Sequence, residues 1–89
     1  MQVNPEDITD NETLQSVLRY IAADEKESAL RQDRFRRLSD AYVPTESPDP
    51  LAMILVYAGE FASGLLDRDT AINSILEEAE VQGLLKSRA

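Results

Sequence analysis

The chain has 89 residues, no cysteine, histidine or tryptophan, and 17 acids against 9 bases for a net charge of −8. Missing Cys and His exclude disulfides and leave a zinc site and the usual near-neutral general base without their side chains. The acidic total opposes contact with nucleic-acid phosphates, and the missing cysteines fit a cytoplasmic protein. The longest apolar run, residues 51–58, is far below the roughly 20 residues of a membrane span, and the start "MQVNPEDITDNE" does not read as a secretory signal.

In chain order, "MQVNP" reads as a frayed end. Thr9-Asp10-Asn11-Glu12 then fits a capping box. The Thr9 hydroxyl would accept the Glu12 amide and the Glu12 carboxylate would reach back to Thr9. Leu14, Val17, Leu18 and Ile21 follow on one helical face. The polar stretch "ADEKES", residues 23–28, contains neither Gly nor Pro, and Phe35, Leu38 and Tyr42 resume an apolar stripe beyond it. The favoured reading is one long helix over about 10–42, with two helices split near 24–27 as the alternative.

"VPTESPDP", residues 43–50, is a linker, because three prolines in so short a run forbid a helix interior. Asp49 can cap the next helix, with Pro50 at its first position. A helix over about 50–63 carries Leu51, Ile54, Leu55, Ala58, Phe61 and Ala62 on one face, with Met53, Val56 and Tyr57 on the other. Gly64 and Gly83 read as helix stops in the left-handed conformation, each followed by leucines that fold back over the last turn. Between them Asp67 caps a last helix with Ala71, Ile72, Ile75, Leu76 and Ala79 on its stripe. No strand pattern is present. The fold class is all-α: a single helical domain over 1–89, a small three- or four-helix bundle ending in an antiparallel αα-hairpin over 50–84.

Four features are candidates for function. Residues 26–37, "KESALRQDRFRR", form a basic island of net +3. Arg31, Arg34, Arg36 and Arg37 could meet phosphate or an acidic surface. Alternatively they form a solvated face laced by the pairs Glu27–Arg31, Asp33–Arg37 and Arg36–Asp40, with Arg34 left over. Met53, Val56 and Tyr57 are either a partner or homodimer surface or the second buried side of a central helix. Asp67, Asp69 and Glu78 stand at positions 1, 3 and 12 of an EF-hand, but Ala71 and Ile72 occupy positions 5 and 6, which excludes the loop. Glu77, Glu78 and Glu80 have no apolar setting to raise a carboxyl pKa, and no serine has a base to activate it. No cofactor and no metal are expected.

The run 58–85, "AGEFASGLLDRDTAINSILEEAEVQGLL", resembles a helical hairpin of phage and plasmid primase-polymerase and primase-helicase proteins. Ala58, Gly59, Ala62, Gly64, Leu66, Ala71, Leu76, Ala79, Gly83 and Leu84 carry the likeness over about a third of the chain. The polymerase carboxylates and the nucleotide loop of that family are absent, so the resemblance implies a mobile-element setting and a helical accessory module, not catalysis. The expected function is therefore non-enzymatic. It is protein–protein binding by a small acidic protein, as a homodimer or as a regulator or inhibitor of a nucleic-acid-processing protein. The alternatives are a nucleic-acid-associated replication module or a structural subunit of a larger assembly.

Overall fold

The computed structural model describes residues 3–86. It is an all-α bundle of α1 (Pro5–Ile8), α2 (Glu12–Ala23), α3 (Ser28–Ala41), α4 (Ala52–Ala62) and α5 (Arg68–Val81), with no strand among the described residues. Leu14, Val17, Leu18 and Ile21 of α2 meet Ile54, Ala58 and Phe61 of α4 and Ala71, Ile72, Ile75 and Ala79 of α5 in one buried cluster. Fully burying an aliphatic side chain of this size contributes roughly 1.5–3 kcal/mol. The six Leu, Ile and Val residues with no exposed surface on α2 and α5 are therefore the main source of stability.

The single helix over 10–42 is corrected to two, divided at the alternative position. Asp24 takes the left-handed conformation (φ 50°, ψ 52°) and its amide closes back on the Ile21 carbonyl. Aspartate tolerates that region better than most residues, so a stop forms without Gly or Pro. Arg31 then fixes the reversal by donating to the Glu25 and Lys26 carbonyls at 3.2 and 3.5 Å. The hydroxyl of Tyr20, on α2, donates to the Arg31 carbonyl at 2.7 Å. Folding α3 back brings Phe35 beside Tyr20 (ring centroids 6.2 Å apart) and over Gly59 of α4. There the Phe35 ring would lie 3.3 Å from an added Cβ.

The capping box is corrected as well. The N-cap of α2 is Asn11, whose side chain accepts from the Leu14 amide at 2.9 Å. Asn11 is as strong a cap as Thr9, and Thr9 is diverted. Its buried hydroxyl accepts the Asn11 amide at 3.1 Å and donates to the Leu84 carbonyl. Glu12 sits in the first turn, where its charge suits the helix dipole. Part of the stretch expected to fray forms α1 instead. Pro5 opens it and is buried, and Val3 and Ile8 pack on the core; residues 1 and 2 lie outside the described residues.

At the entry to α4, Asp49 accepts the Leu51 amide at 3.0 Å with its side chain and the Ala52 amide at 3.2 Å with its carbonyl. The expected cap is thus corrected: Pro50 and Leu51 form a turn, Leu51 rather than Asp49 holds the N-cap position, and the helix begins at Ala52. Gly64 (φ 84°) and Gly83 (φ 72°) both end helices in the left-handed region. The paired bonds Leu65 N–H to Glu60 O and Gly64 N–H to Phe61 O recur as Leu84 N–H to Ala79 O and Gly83 N–H to Glu80 O, the Schellman pattern. The leucines differ. Leu84 packs on the core, whereas Leu65 is 74 % exposed and Leu66 packs in its place. Asp67 caps α5 by accepting the Thr70 amide at 2.7 Å, and that bond holds its carboxyl below the usual aspartate range.

Candidate protein-binding surfaces

Each arginine of the basic island has a partner, but only Arg31 is tied into the fold; Arg34, Arg36 and Arg37 stay exposed. Arg31, which reaches the turn carbonyls, also donates from Nε to the Ala62 carbonyl at 3.0 Å and so covers the C-terminal end of α4. Cations are favourable at that negative helix end. Arg36 and Arg37 both pair with Asp33, Arg37 at 3.1 Å. Arg34 pairs with Glu25 at 3.5 Å across the helix break. Of the helical pairs expected from spacing, Asp33–Arg37 forms. Glu27–Arg31 and Arg36–Asp40 do not appear among the described ion pairs, because Arg31 is committed to carbonyls and Arg36 to Asp33. Sequence spacing could not offer Glu25 to Arg34, because that pairing exists only once the chain turns at Asp24.

Arg68 plays the matching part at the end of α2. Its Nε donates to the Ala22 carbonyl in the last turn of α2 at 3.3 Å, and it pairs with Asp69 at 2.8 Å. Arg31 and Arg68 therefore each tie one helix to the C-terminal end of another. Both line a polar cleft of about 460 Å³ that also takes in Asp24, Glu25, Asp67 and Asp69. With acids interleaved and both guanidinium groups bonded to carbonyls, this cleft is a structural junction. Nothing in the sequence pattern marked Arg68, since its carbonyl partner lies 46 positions away.

Met53 and Val56 lie on the outward side of α4, 44 % and 48 % exposed, and Tyr57 beside them is half-buried. The long N-terminal helix that could have covered this side is absent as such, and its second half, α3, covers only part of α4. Glu60, one turn on from Val56, continues the surface. Among the described residues the carboxylates of Glu60, Glu77 and Glu80 have no ion-pair or hydrogen-bond partner. By contrast every lysine and arginine there has one. The free charge on the described surface is thus acidic, and its exposed apolar stripe adjoins one of these acids.

Two tyrosines carry the largest electrostatic shifts. Burial pushes the Tyr20 hydroxyl up to about 12 against the opposing pull of Arg31. Burial, reinforced by the hydrogen bond to Asp49, pushes Tyr42 up to about 12 as well. Both remain protonated donors at neutral pH. Among the described residues no group of acids is arranged to hold a metal ion, and no helix is long and apolar enough to cross a membrane. Comparison with protein-family models, curated proteins and solved structures returns no match.

Proposed function

We propose that this chain is a small acidic, non-enzymatic protein that works by binding another protein. One observation carries the reading: every cation on the described surface has a partner within the chain, while free carboxylates and the exposed pair Met53 and Val56 remain. A surface of that kind complements a partner that is apolar and basic. The groove of a nucleic-acid-processing protein has that character, and an acidic helical competitor would regulate or inhibit it through the same field that draws nucleic acid. The resemblance of residues 58–85 to primase-associated hairpins adds a mobile-element setting to this proposal.

The same observation disfavours nucleic-acid binding through Arg31, Arg34, Arg36 and Arg37, since phosphates would have to displace Asp33 and Glu25 or break the cap on α4. A homodimer through α4 is also less favoured. Two chains of net charge −8 repel, and a stable interface needs on the order of 1,200 Å² or more of buried surface, to which Met53 and Val56 add little. The test is crosslinked capture from the source cell with wild-type protein and with Met53→Asp plus Val56→Asp. The proposal expects a basic partner held by wild type and lost by the variant at unchanged thermal stability. Identical capture by both proteins would remove α4 as the binding surface. A concentration-dependent dimer in sedimentation would replace the proposal with self-association.

A further inference from the structure

A second surface is assembled from both ends of the described chain. The Lys86 amide donates to the Ile8 carbonyl at 2.7 Å, and the buried Thr9 hydroxyl donates to the Leu84 carbonyl. The Lys86 ammonium donates to the Glu6 carbonyl and pairs with Asp10 at 3.4 Å. These bonds hold residues 84–86 against α1 and leave a groove of about 620 Å³ between them and α5. Half-buried Ile8, Leu76 and Leu85 supply its apolar lining, and Asp7, Glu77 and Glu80 its acidic one. Among the described lining residues, the remaining charged one, Lys86, is already engaged. Apolar side chains that pack on the core yet still line an open groove, flanked by carboxylates, match the pattern that receives an amphipathic helix.

We propose that this groove binds a basic amphipathic helix of the partner protein, with apolar residues at i, i+3 or i+4 and i+7 set on Ile8, Leu76 and Leu85. Lysines or arginines flanking that stripe would meet Asp7, Glu77 and Glu80. This rests on the reading of the chain as a binder of a basic protein, and it names the segment recognised. Charge complementarity selects this occupant over a second copy of the chain. The basic helix of this protein is α3, whose apolar residues Phe35 and Leu38 already pack on the core and whose arginines already have partners.

The probe is a labelled synthetic Leu/Lys amphipathic helix of about four turns, titrated into the full chain and read by fluorescence anisotropy and backbone amide shifts. Expected are saturable binding, shifts centred on residues 7–8, 73–80 and 84–86, and a loss of about tenfold in affinity for Glu77→Lys plus Glu80→Lys. The charge-matched control, Asp40→Lys plus Glu46→Lys at exposed acids outside both surfaces, should lose far less, and a peptide with serine in place of leucine should not saturate. Equal losses in the two double variants, or equal binding of the serine peptide, would reduce the interaction to bulk charge and overturn the groove. Shifts centred on Met53, Val56 and Tyr57 would overturn the groove and leave the proposed function standing on α4. Absence of saturable binding would overturn the groove alone, since capture through Met53 and Val56 is measured separately.

Discussion

The hairpin of α4 and α5 and the arm formed by α3 are held by different forces. Four side chains of α4 and four of α5 are buried, whereas α3 buries none completely. It rests on the half-buried Phe35 and Leu38 and on hydrogen bonds from Arg31 and Tyr20. The hairpin is thus specified by a repeating apolar stripe and the arm by a few polar ties at one end. A charge-rich helix of this sort looks like a binding surface when its sequence is read in isolation. Within it Arg31 closes the helix break and covers the end of α4, and Arg34 pairs across the break with Glu25, while Arg36 and Arg37 pair with Asp33 on the exposed side of α3.

Core truncation should expose the contrast most strongly. Ile72→Ala removes a fully buried side chain from α5, and should lower stability by about 2–5 kcal/mol in urea denaturation. Leu38→Ala, in half-buried surroundings on α3, should lose about 1 kcal/mol. Comparable losses at the two sites would mean that α3 is as deeply integrated as the hairpin. Within the basic island, Arg31→Ala should cost about 1.5 kcal/mol by removing the charged donor to the Ala62 and Glu25 carbonyls. Arg36→Ala, at an exposed pair with Asp33, should change stability by less than about 0.5 kcal/mol. Equal effects would return Arg31 to the solvated surface that its spacing suggests.

Gly64→Ala forces a Cβ into φ 84° and should cost about 1 kcal/mol. Gly83→Ala, at φ 72° with open space around it, should cost no more than that. Alkaline titration offers a subtler probe. Tyr20 and Tyr42 keep their protons in the folded state up to about 12, above the ordinary value of 10.0, so the unfolded chain ionises first. Their contribution is complete below pH 10 and is lost as pH rises toward 12. The loss should shrink in Tyr20→Phe, monitored by the melting temperature. Asp67 has the opposite sign. Its carboxyl is held low by Thr70, so its contribution is present above the ordinary aspartate pKa and declines as pH falls through the lower folded value.

Much of this fold is legible in the sequence, and the exceptions share a cause. The stripes of α2, α4 and α5, the Asp67 cap and the two glycine stops follow from local spacing and backbone preference. What local rules could not supply came from contacts that exist only once the chain is folded. Asp24 stops a helix with no breaker because Arg31 and Tyr20 stabilise the reversal. Thr9 yields its capping role to Asn11, its hydroxyl accepting the Asn11 amide and donating to the Leu84 carbonyl. Leu65 points to solvent while Leu66 takes the core position. The candidate surfaces divide the same way. Met53 and Val56 were visible as the apolar side of α4, whereas the groove beside α5 depends on residues 84–86 meeting α1.

Amide hydrogen exchange of the full chain, with and without the Leu/Lys helix, tests the contrast and its functional consequence together. The account predicts that α3 exchanges through openings well below the global unfolding free energy, that α4 and α5 exchange near it, and that the peptide slows exchange around residues 7–8, 73–80 and 84–86 while leaving α3 unchanged. Protection of α3 equal to that of the hairpin, or slowing confined to α3, would contradict it.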